Sequence, residues 1–571
     1  MTLALLLRRM LVALLVVSAV EVTARETGWR DPTQADDPYL GLAGTPPLFR
    51  AETDAEGRAV LRRSPNKNNY RDTSFLRDKP ADEFRVFVIG GSGVRCESFE
   101  NPDASFSGML QLYLSGLLPG RRPDVINCGG GGMGSSQNLE VLREVLDHEP
   151  DLLVVYPEGG EKNLIPPAPQ GVLAMKDDAA PLRADARRLL TGLCVYGLVR
   201  DAWNGLMPPE VKSRKDPSAF SAFVMSIATQ PFTPATFTRL VEFKHDRVPP
   251  LMEHPLPAEV IEAGHARFRR NLRSMAELCR ERGVPLLFVQ PVRNLRADFY
   301  LRFHVDPAEI QPGRTEEWRA HYEQGLLAKR AGDWERAITE LSAVRACYAD
   351  DHDEILAFYL AECHEAAGDL DAAREEYERP YLRHPMRGHL PEVAAEAGVP
   401  YVDPFPAVQA IAPDGIPGFD EFTDTFHPQP VTNRAIALTI VEGLRGMDLG
   451  PPQRAADDPA FLRADAEVRK LVARWPSPMP NRVHKAVIEG RWEDVVELAA
   501  SVKPETLTVQ QIMPATDLGL ALTHLGRLDE ARRLHGAMRR LLARQGLQPP
   551  PLDTDEEIVI NAFARDVFAW F

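Results

Sequence analysis

The sequence predicts an α/β protein built on a doubly wound, parallel five-stranded sheet, with all-α hairpins inserted into it and appended after it. Three observations point that way. Five short apolar runs alternate with segments of helical period. Glycine-rich turns follow two of those runs directly, as where a parallel strand hands over to a loop at the ligand-binding edge of a sheet. A glycine turn signature, Gly332-Asp333-Trp334-Glu335, returns 36 residues later as Gly368-Asp369-Leu370-Asp371, and the same spacing separates Gly490-Arg491-Trp492-Glu493 from Gly526-Arg527-Leu528-Asp529.

A chain of 571 residues exceeds what one core organises. The expected units are a targeting segment at 1–25, an α/β domain at 26–314 carrying a long insertion at 163–256, inserted helical hairpins at 315–380, the last part of the α/β domain at 381–447, and a helical domain at 448–571. The formal charge of −16 and the lack of a basic stripe exclude nucleic acid as a partner, because a phosphate backbone is bound by displacing its counterions with Lys and Arg.

At the N-terminus Arg8-Arg9 precedes the apolar run Met10 to Val20, which Glu21 and Arg25 end. Eleven residues rise about 16 Å as a helix, short of the ~30 Å hydrocarbon core, so the pattern fits an export signal. Two fates fit. Cleavage at Val17-Ser18-Ala19 or Val22-Thr23-Ala24 would release the chain to the periplasm or medium, and an uncleaved segment including Leu3 to Leu7 would anchor it to the cytoplasmic membrane.

The predicted strands are Arg85 to Ile89, Asp124 to Asn127, Leu152 to Tyr156, Leu286 to Gln290 and Tyr401 to Val402, with helices at Phe106 to Leu118, Gln137 to Leu146, Pro257 to Arg282 and Pro391 to Ala397. Between the third and fourth strands, Asn163 to Leu256 holds Ile165-Pro166-Pro167-Ala168-Pro169 and an apolar helix near Leu189 to Trp203, which either packs against the sheet or serves as a lid or acyl-binding wall. Thr315 to Arg379 interrupts the alternation with two helical hairpins, carrying Ala337 and Ala373 at the same offset from their glycines, and reads as an excursion that leaves the sheet and returns to it at Tyr401. The six cysteines show no CxxC spacing, which argues against structural zinc. Buried free thiols are the plainer expectation, and export would also permit disulfides, with Cys96 and Cys128 the first pair to inspect.

Two segments carry chemistry. Phe84 to Val94 runs from a strand into Gly90-Gly91-Ser92-Gly93, a tight turn that exposes a hydroxyl while backbone N–H groups face a developing oxyanion. Thr423-Asp424-Thr425-Phe426-His427-Pro428 spaces a carboxylate and an imidazole so that they meet around a turn, where the carboxylate orients the ring and supports its charge.

A serine in a glycine turn after strand one, the glycine-rich Asn127-Cys128-Gly129-Gly130-Gly131-Gly132 after strand two, and DxxH before the last helix resemble the SGNH/GDSL hydrolases over roughly residues 75–165 and 255–445. Pro285 to Leu295 resembles the fourth strand and loop of exported bacterial members, and the paired glycine turns resemble tetratricopeptide repeats. The resemblance implies Ser92 as nucleophile, Asp424 and His427 as its triad partners, and the N–H groups of Ser92 and Gly132 as oxyanion donors. It calls for no cofactor and no metal. In the third block the family's Asn is replaced by Gly160, within Tyr156-Pro157-Glu158-Gly159-Gly160-Glu161-Lys162-Asn163, and Asn163 and Asn294 are the candidate substitute donors.

The function implied is an exported serine esterase or acyl hydrolase acting through an acyl-enzyme on Ser92, with an acylated glycan or lipid of the cell envelope as substrate. Acyl transfer to a sugar hydroxyl would use the same residues. The alternative is a catalytically weakened or inactive scaffold of the same fold that binds a protein partner through its helical repeats.

Overall fold

The computed structural model describes residues 17–24, 26–27, 47–65, 67, 70–96, 102–131, 133–157, 195, 258–297, 309–349, 354–382, 385–423, 425–474, 479–488, 490–508 and 511–544. Several expectations concern residues outside that set: the targeting segment up to residue 16, the insertion at 163–256 (Asn163 among it) apart from residue 195, the last residues of the helical domain at 545–571, and Gly132, Gly160 and Asp424. Among the described residues no helix is long and apolar enough to cross a membrane.

The first strands among the described residues form a small antiparallel sheet, β1 (Phe49–Thr53), β2 (Ala59–Arg63) and β3 (Ser74–Leu76), which the sequence reading did not anticipate. Its signal was present. Asp54 and Gly57 close the β1–β2 turn, with Asp54 Oδ1 accepting the Glu56 and Arg58 N–H groups and Gly57 at φ +81°.

The main sheet contains β4 (Glu83–Gly90), β5 (Arg122–Gly129), β6 (Leu152–Tyr156), β7 (Leu286–Val289) and β8 (Tyr401–Val402), all parallel, in the order β5-β4-β6-β7-β8. All five anticipated strands are present, the first two longer by one to two residues at each end. The first strand therefore sits between the second and third, and the crevice where strand order reverses opens at the carboxyl ends of β4 and β6.

Both faces of this sheet are covered, which explains why its strands read as apolar runs instead of alternating. Phe84, Val86, Val88, Leu152, Val154, Leu287 and Val289 face one core, where helices α2 (Phe106–Leu117) and α11 (Pro430–Arg445) lie. Phe87, Ile89, Leu153, Val155, Leu286 and Phe288 face the other, covered by α3 (Ser135–Val145), α4 (Ala258–Arg282), α9 (Pro385–Ala397) and the antiparallel sheet. Each fully buried aliphatic or aromatic side chain contributes roughly 1.5–3 kcal/mol relative to exposure. The polar residues in β4 lie at its N-terminal end, where Arg85, fully buried, pairs with Glu83 at 2.6 Å and donates to the His148 and Leu76 carbonyls.

Four helices intervene between β7 and β8: α5 (Thr315–Ala331), α6 (Trp334–Arg345), α7 (Glu354–Ala366) and α8 (Leu370–Leu382). They form antiparallel pairs outside the sheet, but they are no detached excursion. Trp318, Tyr322, Leu341, Ile355 and Phe358 belong to the same continuous core as Val88 and Val154, and the Tyr381 ring packs 4.6 Å from that of Phe405 on α10 (Phe405–Ile411).

The core also does not break at residue 447. Helix α12 (Pro459–Arg474), expected with the C-terminal helical domain, packs on α2 and α11: Tyr113 stacks on Phe461 at 5.6 Å, and Asp465 accepts the Tyr113 hydroxyl at 2.7 Å and pairs with Arg434. A separate core begins after it, formed by α13 (Met479–Ile488), α14 (Trp492–Leu498), α15 (Ile512–His524) and α16 (Leu528–Arg544).

Candidate active site

Strand β4 ends at Gly90, paired with Gly129 of β5 and Tyr156 of β6. A Cβ on Gly90 would lie 2.4 Å from the Tyr156 carbonyl oxygen, so glycine is required for room. The chain then turns at Gly91 into helix α1 (Ser92–Arg95), a single turn whose Arg95 and Cys96 N–H groups bond back to the Gly91 and Ser92 carbonyls. Gly93 and Val94 point inward and are buried, whereas Ser92 and Arg95, three positions apart and hence on one side, are half-buried. As the first residue of the turn, Ser92 has an N–H with no intrahelical acceptor.

Neighbouring segments fix this turn in place. Gly129 lets the helix backbone rest on β5, since a Cβ there would meet the Arg95 nitrogen at 2.2 Å. Asn127, in the second glycine-rich block, donates through Nδ2 to the Val94 carbonyl at 2.7 Å and to Ser107 Oγ at 2.8 Å, and accepts the Gly129 N–H at 2.9 Å. Arg71 donates to the Arg95 and Cys96 carbonyls at 2.9 and 3.1 Å, covering the far end of the turn. Cys96 ends the helix in the left-handed region, at φ +56°, a conformation that a non-glycine residue holds only when its surroundings dictate it.

The histidine loop is equally constrained. Thr423 donates to the His427 carbonyl from its N–H at 2.9 Å and its hydroxyl at 3.0 Å, and Phe422 bridges Pro428. Gln429 and Thr432, in and just before the first turn of α11, bond the Phe419, Phe422 and Glu421 carbonyls from below. From the neighbouring loop, the Asn294 N–H donates to the Thr425 carbonyl at 2.7 Å. His427 is 6% exposed, with its ring 4.3 Å from that of Phe426. Glu421, buried at the base of the loop, has its carboxyl held above the ordinary range by desolvation, opposed by the Gly418 N–H.

One side chain joins the serine turn to the histidine loop. Asn433, fully buried on α11, donates through Nδ2 to the Pro428 carbonyl at 3.3 Å, the Ala104 carbonyl at 3.0 Å and Cys96 Sγ at 3.6 Å. Ser92 and His427 thus lie on segments pinned together at the carboxyl edge of the sheet.

Of the residues singled out from the sequence, the structure brings the Ser92 and His427 segments together. Gly132, Asn163 and Asp424 lie outside the described residues. Asn294 has no exposed surface, its Oδ1 caps the Arg296 N–H at 2.8 Å, and its backbone supports the histidine loop. Sequence reading gave no role to Asn433, Asn127, Arg71 or Gln429. Thr432 and Asn433 did carry a signal, as polar residues within the otherwise apolar face of Pro430 to Leu444.

Cys96, Cys128, Cys279, Cys347 and Cys363 are buried free thiols. Burial pushes the Cys96 thiol up to about 11, against the opposing Arg71 charge and Asn433 amide, and holds Cys128 well above its ordinary value. Neither provides a thiolate near neutral pH. Among the described residues no group of three or more His, Cys, Asp or Glu side chains is placed to hold a metal ion. No protein-family model and no curated protein matches this chain.

Proposed function

We propose that the chain is an exported serine esterase or acyl hydrolase of SGNH/GDSL type, with tetratricopeptide-like hairpins, acting on acyl esters of cell-envelope carbohydrate or lipid. The observation that carries this reading is the pinning of the Ser92 turn and the His427 loop to one another, through Asn433, at the edge of a doubly wound sheet where ligands bind. Ser92 Oγ attacks the ester carbonyl while His427 takes its proton, and Asp424 orients the imidazole and balances its charge. The Ser92 and Gly132 N–H groups receive the oxyanion. Collapse of the tetrahedral intermediate releases the alcohol, protonated by His427, and leaves an acyl group on Ser92. Water, or a sugar hydroxyl in a transfer reaction, then attacks that acyl group as His427 again removes the proton.

A fluorophosphonate probe tests the assignment, because only an activated serine is labelled. The wild-type chain is expected to label at one site, and Ser92→Ala and His427→Gln to abolish labelling. A wild-type chain that stays unlabelled at neutral pH would overturn the reading.

One observation favours a second reading, the weakened scaffold that binds a protein through its repeats: Gly160 stands where the family has its side-chain oxyanion donor. Loss of one such donor costs about 10² to 10³ in turnover. Gly160→Asn is therefore expected to raise acetyl-ester cleavage roughly tenfold, with Ser92→Ala cancelling the gain. Absence of turnover in both the wild-type and Gly160→Asn chains would favour the scaffold.

A further inference from the structure

The inserted hairpins reach the histidine loop through a continuous series of bonds. Glu365, on α7, accepts Arg296 Nε at 3.0 Å through Oε1, and the same oxygen lies 2.8 Å from Nη2, with side chains 31% and 19% exposed. Tyr377, on α8, donates its hydroxyl to the other Glu365 oxygen at 3.0 Å, which fixes the carboxylate plane. Arg296 also donates Nη1 to the Ile416 carbonyl at 2.7 Å, and its stem packs on Gly418, where a Cβ would lie 3.1 Å from Nη1. Its own N–H is capped by Asn294 Oδ1, and the Asn294 N–H holds the Thr425 carbonyl, two residues from His427. Next to this series, Tyr381 on α8 donates to the Pro291 carbonyl at 2.8 Å. The loop after β7 is thus held on one side by the hairpins and on the other by the histidine loop.

We infer that Arg296 is a positioning residue for the candidate catalytic histidine, and that Glu365 of the inserted hairpins is its anchor, so that the state of the hairpins sets the geometry of the His427 loop. The inference rests on the hydrolase reading for its catalytic consequence, though not for the mechanical link. A planar guanidinium held at Nε and Nη2 by a carboxylate and at Nη1 by a backbone carbonyl has little rotational freedom. Loss of the carboxylate releases it, and with it the turn from Asn294 to Arg296. A ligand that shifts α7 against α8 would act on the histidine by the same route.

The test uses the full chain with two readouts, the rate of fluorophosphonate labelling of Ser92 and amide hydrogen exchange followed by mass spectrometry. Glu365→Gln, far from Ser92 in sequence and fold, is expected to slow labelling about tenfold. It is also expected to raise exchange in peptides covering 291–296 and 421–429, with β4 unchanged. Arg296→Gln should do the same, and the double variant should be no slower than either single one, because both remove one link. Unaltered exchange in both peptides for Glu365→Gln, or additive losses in the double variant, would overturn the inference. If the wild-type chain does not label, the hydrolase reading fails and the exchange readout still decides the link. Should Glu365→Gln fail to fold, Tyr377→Phe carries the same test: a smaller rise in exchange confined to the two peptides supports the inference, and no rise overturns it.

Discussion

At the scale of single residues the site depends on side chains that do no chemistry. Asn433 holds three acceptors on two separate segments, and no apolar residue of similar size can replace those bonds. Asn433→Leu leaves the Ala104 and Pro428 carbonyls buried without their donor, a cost of about 1–3 kcal/mol. It should lower labelling of Ser92 more than tenfold while the sheet stays folded, and unfolding curves beside labelling rates would check both. Ser92 and His427 could be singled out as candidates because their residue types and spacing suit such chemistry. Asn433 could not, since its meaning depends on a contact 337 positions away in sequence. A second residue-scale prediction concerns Asp124. Arg85 and Arg122 are both engaged by Glu83, so Asp124 is left partly buried beside that carboxylate and its own value rises from 3.8 to about 6, chiefly by desolvation. The folded state therefore binds this proton more tightly than the unfolded one, and the contribution of Asp124 to stability is most favourable below 3.8 and falls as pH rises towards about 6. Asp124→Asn removes that loss. The variant should be more stable than the wild type at pH 7, by roughly 3 kcal/mol at most, and the advantage should vanish near pH 4 in urea titrations.

Among the elements, the helical pairs show how a spacing in sequence becomes a geometry. Gly332, Gly368, Gly490 and Gly526 all lie at positive φ, between 66° and 84°, and in each case the next residue's N–H bonds the carbonyl five positions back, a Schellman closure that ends the first helix of the pair. Five residues beyond each glycine, Ala337, Ala373, Val495 and Ala531 are fully buried, where the second helix meets the first. Nothing lies within 4 Å of a Cβ added at Gly368, so its substitution tests backbone conformation alone. Gly368→Ala should destabilise by about 1–2 kcal/mol, and Gly368→Asn by less, in thermal or urea unfolding. The strands β6 and β7 were equally legible, because a parallel strand buried on both faces is largely apolar. The antiparallel β1–β3 sheet was not. Its Asp54–Gly57 turn carries a signal, but Ala59–Arg63 and Ser74–Leu76 are short and mixed in polarity, and Phe75 finds its ring partners in Phe87 and His148, distant in sequence. Local pattern also gave no reason to place α12 with the sheet, since its apolar stripe fits a repeat helix as well as a layer over α2.

For the whole molecule, the distribution of cores decides which parts can be removed. The inserted hairpins share the core of the sheet, and deleting 315–382 would strip Tyr381 from Phe405 and leave Arg296 without Glu365. The simple reading of an excursion predicted a folded remainder, whereas the shared core predicts a destabilised one. The C-terminal boundary gives a sharper contrast. A chain ending at Arg474 retains α12, with Phe461 and Val468 buried against the first core, and among the described residues it loses helices whose apolar residues, from Val483 to Leu541, pack on each other. An ion pair between these helices and the rest, Lys485–Asp420, is half exposed, and such pairs contribute about 0–1 kcal/mol. A chain ending at Gly450 also loses α12. That change exposes the face of α2 at Tyr113 and Gly116, removes the partner of Arg434, and forfeits the burial of Phe461 and Val468, together roughly 3–6 kcal/mol. Against a typical stability of about 5–15 kcal/mol, this is enough to unfold the domain or bring it close to unfolding. Circular dichroism melts of the two truncations should therefore show a cooperative transition near that of the full chain's first domain for the longer one, and a transition lowered by more than ten degrees or lost for the shorter, on the order expected for such a loss. Equal melting of the two would mean that α12 belongs with the C-terminal helices after all.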